Sequence, residues 1–370
     1  MFSNRCNPIN KKLCLSFLLL VVLLLSAAVL GLCFGSVPLS FRTIITVLFE
    51  APDIASKSAG AAVSGAQAQA GIREGMGLLE SPSLETARIL LLTVRLPRVV
   101  GGIFAGAGLA AGGVILQTVM NNALASPNTI GVNAGAGFGV MCAMFLFPAF
   151  SPAQPLFAFL GALCTTLAIF LLAALSDSSR LTIILAGIAV SSFLNAGINT
   201  LKLLDTDLAI DITSFLIGSL SGLSAGKLFV PCTAIAAGLL FAFALSGHLN
   251  LLSLGDDIAR SLGLRVRFYR FVLLLLASLL SGAVVSYAGL LGFVGLIVPH
   301  AARRLFGNDA RVLLPSAALL GASFVVLCDL CGRVLFAPFE LPAGLPLAFI
   351  GGPFFLWLLL RGKGGRRLRA

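Results

Sequence analysis

Apolar residues along this chain come in long unbroken runs, and short clusters of Gly, Pro, Ser and charge separate one run from the next. A helix needs roughly 20 apolar residues to cross the hydrocarbon core of a bilayer. Ten runs suggest spans: residues 13–34, 97–118, 129–147, 155–175, 181–203, 227–247, 268–290, 292–306, 311–336 and 345–360. Because they are continuous rather than alternating, they predict an all-α polytopic helical bundle and not a barrel. A single transmembrane domain, 1–370, accounts for the sequence. The first run follows Arg5, Lys11 and Lys12 and has no small-residue cleavage site before Pro38, so it is expected to be a span and not a removed leader.

Two places depart from this rhythm. The eighth run, within "GFVGLIVPHAARRLFGNDAR" (292–311), meets Pro299, His300, Arg303 and Arg304 too early for a full crossing. A short helix suffices if the chain turns below the external surface at Gly289 and Gly292, with neighbouring helices satisfying the opened backbone. Its cytoplasmic end would then place Arg303 and Arg304 within reach of headgroups or a partner. The second departure is residues 35–91, predicted as an extended external loop, flexible and rich in Ala, Gly, Ser and Gln beyond residue 50.

Composition turns the pattern into a class. At 58% hydrophobic and 11% charged residues, with mean hydropathy +1.05, the chain cannot hide its apolar surface in a soluble core. It reads as an integral membrane protein. A net charge of +11 could suggest nucleic acid, but its distribution is topological. With the N-terminus in the cytoplasm, 16 of the 25 Lys and Arg fall at cytoplasmic ends, joined only by Asp177, Asp256, Asp257 and Asp309. The positive-inside rule therefore predicts that both termini are cytoplasmic, and no nucleic-acid partner is expected.

Candidate chemistry is sparse. The eight cysteines lie almost entirely in apolar runs, and Cys328 and Cys331 are expected to be buried thiols because no second pair completes a site. His248 and His300 have no ligand neighbours at metal spacing, so no metal site is expected. "GLSAGKL" (222–228) is only loosely like a phosphate loop, with Leu228 where Ser or Thr should follow Lys227. Asp329 is the one acid inside a span, near the external end, with Arg333 one turn later as an i, i+4 partner. No catalytic constellation is apparent.

A motor must then be borrowed, or an ion gradient used, and the cytoplasmic loops are the places to look. The longest, 247–270, holds a short helical pattern that begins at Asp256 and Asp257 and stops at Gly263. Ile258, Leu262 and Leu264 give it an apolar face, to be covered either by lipid or by a cytoplasmic protein.

Three segments in order resemble one family: "RLPRVVGGIFAGAGLAAGGVILQTVMNNALASPNTIGVNAGAG" (95–137), "LGDDIARSLGL" (254–264) and the stretch from "GFVGLIVPHAARRLFGNDA" to "FIGGPFFLWLLL" (292–360). They look like permeases of the iron-siderophore, haem and cobalamin ABC importers. The resemblance implies ten spans per subunit in the bacterial or archaeal cytoplasmic membrane and a homodimer around a central pathway. It further implies two cytoplasmic ATPases, which carry the ATP and Mg, an external substrate-binding protein, and no cofactor on this chain. The implied ATPase-coupling helix lies within 248–267 and uses Leu254, Gly255, Asp256, Ala259, Arg260, Leu262, Gly263 and Leu264, with Leu262 and Leu264 as anchors and Asp256 and Arg260 fixing orientation. The implied cytoplasmic gate takes Asn122 and Leu124 with Ser178 and Ser179, and Ala123 stands where the family commonly has proline. Arg95, Arg98 and Arg333 match external arginines that receive carboxylates from the binding protein. A self-contained secondary transporter is the competing function.

Overall fold

The computed structural model describes residues 8–35, 41–49, 84–127, 130–147, 153–175, 180–205, 212–213, 215–337 and 339–364. Among them every regular element is helical: α1 (Pro8–Cys33), α2 (Phe41–Phe49), α3 (Leu84–Ile89), α4 (Leu96–Val119), α5 (Val132–Leu146), α6 (Ala153–Leu175), α7 (Arg180–Leu204) and α8 (Ala225–Ala244) come first. Two short helices follow, α9 (Ser246–Ser253) and α10 (Asp256–Ser261), and then α11 (Val266–Ala288), α12 (Val294–Phe306), α13 (Ala310–Val334) and α14 (Gly344–Gly364). Each expected apolar run overlaps a helix. Seven helical stretches are long and apolar enough to cross a membrane, and α5 and α14 are shorter apolar helices.

The expected loop 35–91 is corrected at both ends. Phe41–Phe49 is helical, and α3 continues through a π-helical segment, Leu90–Arg95, into α4, giving one stretch from Glu85 to Val119. Pro97 had set the sequence boundary, because proline lacks the N–H of a regular turn. The wider turn just before it carries the helix through. Ile44 and Val47 of α2, Ala87 of α3 and Leu91 bury one another with Cys33, forming a small external core of their own. Residues 50–83 lie outside the described residues.

The centre is α4. Its most apolar window is 83% buried, against 17% for α1 and for α7, which stand at the periphery. The sequence reason is size: a Cβ on Gly106 would overlap the carbonyl of Gly321 on α13, and one on Gly113 would overlap that of Gly295 on α12. Small residues let helix backbones meet directly, which is how membrane helices gain dispersion contacts where no hydrophobic effect separates helix from lipid.

The short eighth helix begins inside the protein, as its sequence required. α11 ends at Ala288, Gly289 adopts φ +68°, Phe293 φ +65°, and α12 starts at Val294. The opened backbone is satisfied by a second break beside it. Leu290 N–H donates to the Phe215 carbonyl (3.0 Å), Ser219 N–H to Ala288 (2.9 Å), and Gly344 N–H at the head of α14 to Gly218 (3.0 Å). Three interrupted segments thus supply one another's missing partners, the condition under which irregular backbone persists at membrane depth.

Candidate functional site

At the end expected from charge to be external, the three arginines singled out by sequence do come together, but inside the protein. Arg95, Arg98 and Arg333 are only 3%, 4% and 2% exposed. Arg98 Nε donates to both oxygens of Asp329 (3.0 Å each) and its Nη1 to Glu340 Oε2 (2.6 Å). Arg333 Nε lies 3.2 Å from Asp329 Oδ2, the pairing its spacing predicted. The remaining donors reach α1: Arg333 Nη2 to the Gly31 carbonyl (3.0 Å), Arg95 Nη1 to those of Leu32 (2.6 Å) and Cys33 (2.9 Å).

The last carbonyls of a helix have no intrahelical donor and carry the negative end of its dipole. Two guanidiniums therefore cap α1 from outside and join it to α4 and α13. The three guanidiniums matched to external arginines are therefore buried within the chain. Two carboxylates and three carbonyls, from residues separated by up to 302 positions, draw them inward. Sequence reasoning found the Asp329–Arg333 pair but missed Glu340 and the α1 carbonyls, for which spacing gives no signal. Of the two neighbouring thiols expected to be buried, Cys328 is buried and Cys331 is exposed.

The opposite end, expected from charge to be cytoplasmic, is built the other way. The short helix of the long loop forms as expected, α10, entered at Gly255 (φ +103°) and left at Gly263 (φ +84°). Ala259 is fully buried against the bundle. Leu254, Ile258 and Leu262 are 53%, 52% and 58% exposed; Ile258 and Leu262, four residues apart, share one side, and Leu254 precedes the entry turn at Gly255. Leu264, expected as an anchor, is 8% exposed and belongs to the main core, because the turn at Gly263 folds it back. Asp256 is likewise engaged internally, its carboxylate 2.5 Å from Arg270 Nη2. Arg260 stays exposed beside Asp257, 3.8 Å away.

Two joints hold this layer to the bundle. Asn250 on α9 donates to Asp309 Oδ1 (2.7 Å) and accepts from the Ala310 N–H (2.7 Å) at the start of α13. Asp309 also accepts from the Arg311 N–H (3.0 Å); the Asn250 amide first, and that N–H second, hold its carboxyl below the ordinary value. Arg303, expected to reach headgroups or a partner, is turned inward instead: its Nη2 donates to Thr118 Oγ1 (2.7 Å) at the end of α4. Arg304 sits 6.0 Å from the Trp357 ring centroid.

Of the expected gate, Asn122 and Leu124 form a tight turn after α4, with Leu124 N–H donating to Asn122 Oδ1 (2.9 Å) and Ala125 N–H to the Asn122 carbonyl (3.1 Å). That Asx turn holds with Ala123 at its exposed corner. Ser178 and Ser179 lie outside the described residues.

A further feature was not singled out from sequence. Along α7, Ser192, Asn195 and Asn199 are exposed at spacings of three and four residues, Thr200 is exposed beside Asn199, and Asn195 is close to the middle of the helix. The signal was present as polar residues in an apolar run, legible only at helical spacing.

Comparison with known proteins agrees with this architecture. The chain is 36% identical over 278 residues to the iron(III)-citrate import system permease protein YfmD of Bacillus subtilis, covering 75% of this chain and 83% of that protein. It is 36% identical to the hemin transport system permease protein HmuU of Yersinia pestis over 281 residues, 74% and 84% of the two chains. A solved structure of a metal-chelate type ABC transporter in an inward-facing conformation superposes with a TM-score of 0.75 at 28% identity, over 94% of this chain and 99% of that one. The model of the FecCD transport family matches residues 18–361, and the chain belongs to that family.

Proposed function

We propose that this chain is the permease subunit of an ATP-driven importer that carries a metal chelate into the cytoplasm, and that two copies enclose the pathway. The observation that carries the reading is the polar side of α7. The Asn195 amide, exposed near the middle of a span with Asn199 one turn further on, is ill suited to hydrocarbon, where each unbonded polar group costs several kcal/mol. Water in a central pathway, shared with a second copy, meets that requirement.

Ten spans with both termini cytoplasmic fit the charge distribution and the ten helices that overlap the expected runs. Leu254, Ile258 and Leu262 supply the apolar contact for an ATPase subunit, with Gly255 and Gly263 setting the ends of the docking helix. Asn122 and Leu124, with Ser178 and Ser179, line the cytoplasmic constriction. An external binding protein delivers the chelate, and the chain itself holds neither nucleotide nor cofactor. The relatives' names, iron(III)-citrate and hemin, make an iron chelate the favoured cargo class.

The test is reconstitution with the neighbouring ATPase and binding protein, with Asn195→Cys in the permease. Disulfide crosslinking between two copies, together with ATP-dependent uptake of the chelate, is expected. Uptake driven by an ion gradient without ATP would establish the secondary-transporter alternative. An introduced thiol that faces only lipid in every nucleotide state would remove the shared pathway.

A further inference from the structure

The cytoplasmic ends of α6 and α11, with Arg260 at the edge of the docking helix, frame a hollow of about 580 Å³. Its walls combine two chemistries. Arg260, Arg265 and Arg267 line it together with Phe170, Phe268 and Phe271. They are ordered by depth. Arg265 and Arg267 stand at the very start of α11, whereas Phe271 is five residues further in, and Phe170 lies five residues before the end of α6. At 1.5 Å per residue the aromatic floor is about 7 Å deeper in the membrane than the arginines.

Phe170 and Phe271 pack ring to ring at 4.6 Å, which closes the inner end, and Phe268 stands 57% exposed at the side. Next to Phe170 on α6, Leu167 and Leu171 are exposed, so an apolar strip continues from the hollow along the helix into the bilayer. Positive potential adds to the arginines. The hollow contains the N-terminal turn of a 23-residue helix, whose first N–H groups lack intrahelical acceptors, and that turn carries no acidic residue.

We propose that this hollow binds one anionic phospholipid, its phosphate held by Arg265 and Arg267 and its acyl chains laid over Phe268 and Phe271. A guanidinium bonds phosphate oxygens in pairs, and the headgroup level is where a phosphate and three phenylalanines are satisfied together. An acidic segment of a cytoplasmic protein would leave the deep aromatic floor and the apolar strip without a complement. The site is cytoplasmic on the topology proposed above, and in that respect it rests on that reading.

The test uses the full chain, purified in neutral detergent and titrated with short-chain phosphatidylglycerol, short-chain phosphatidylcholine and inorganic phosphate, bound lipid being counted by native mass spectrometry. Phosphatidylglycerol is expected to bind at least tenfold more tightly than phosphatidylcholine. Arg265→Gln with Arg267→Gln should weaken it about thirtyfold, since each arginine at a membrane surface contributes about fivefold toward an anionic lipid. Phe268→Ala should weaken both lipids alike, and Arg311→Gln, at the start of α13, should change neither. Equal binding of the two lipids, or displacement of phosphatidylglycerol by inorganic phosphate at matched concentration, would overturn the proposal, the second result marking a free-anion site. ATP-coupled uptake in the assembled complex reports on the importer reading separately, so either idea can fail while the other stands.

Discussion

The two ends of this molecule invert the usual rule in opposite senses. At the external end, charge is inside: three guanidiniums no more than 4% exposed are met by two carboxylates and the last carbonyls of α1. At the end expected to be cytoplasmic, apolar side chains are outside: Ile258 and Leu262 are more than half exposed at a helix whose other side is buried at Ala259, and Leu254 is as exposed just before it. Compensation separates them. The charges at one end find partners within the chain. Among the described residues the apolar side chains at the other end stay uncovered, which is the basis for the docking surface proposed above.

The sharpest way to break this comparison is to unbalance the external knot. Asp329→Ala removes the carboxylate that faces both Arg98 and Arg333 and leaves two buried guanidiniums with Glu340 as the remaining acid. Breaking a buried pair from one side costs about 3–5 kcal/mol, and a loss of that size is expected in denaturant unfolding of the purified chain. Arg95→Glu should set a carboxylate against the Leu32 and Cys33 carbonyls and free the end of α1, read as new protease sensitivity there. Both effects should persist at high salt, because buried charges are poorly screened. A defect confined to binding-protein capture and growing at low salt would return these arginines to an exposed docking role.

At the other end the expected damage is to association and not to folding. Ile258→Asp or Leu262→Asp places a charge where a partner's apolar groove must close. ATPase binding should weaken by about 2 kcal/mol or more, roughly thirtyfold, with the unfolding transition unchanged. Leu264→Asp sharpens the contrast: only two residues from Leu262 but buried in the core, it should prevent folding outright. Stable Leu264→Asp protein with selectively lost ATPase binding would show that the side of the helix has been misassigned.

Much of this was legible in the sequence, and what was not has a consistent cause. Run length gave the bundle, and glycine placement gave a short helix born inside the protein, because both depend on neighbours in the chain. The docking helix could be bounded at Gly263 for the same reason. Which of its leucines points outward could not be read, since Leu264 lies beyond the glycine turn and no helical period governs it. The arginine knot was half visible. Asp329 and Arg333 are four apart, but the carbonyls that complete the site are 62, 63 and 302 positions from their donors. The helix starting at Leu84 was hidden by Pro97, whose effect on a regular turn is real but is absorbed here by a π turn.

A smaller effect is expected where the cytoplasmic layer is joined to the bundle. Asn250→Ala removes the amide that donates to Asp309 and accepts from Ala310 N–H. Losing two such bonds at a partly exposed site should cost about 1–2 kcal/mol. The cost should appear as faster amide hydrogen exchange at the start of α13 and in α9, the external end being unaffected. Equal loosening of α1 would mean that the two ends are coupled and not independent.

The smallest effect is a dependence on acid at the same joint. The Asp309 carboxyl is held below its ordinary 3.8 because Asn250 and the Arg311 N–H both donate to its ionised form. A group with a depressed folded value stabilises the protein above its unfolded value and loses that contribution as pH falls through the folded one. Between pH 7 and pH 5 the joint should therefore be indifferent to pH, and below about 4 exchange at the start of α13 should accelerate. The carboxylate is exposed, so solvent screens the gain and the change should be slight. Asp309→Asn keeps an acceptor for both donors but cannot titrate, and it should flatten the profile. Were acid loosening to survive in Asp309→Asn, a different group would control the joint.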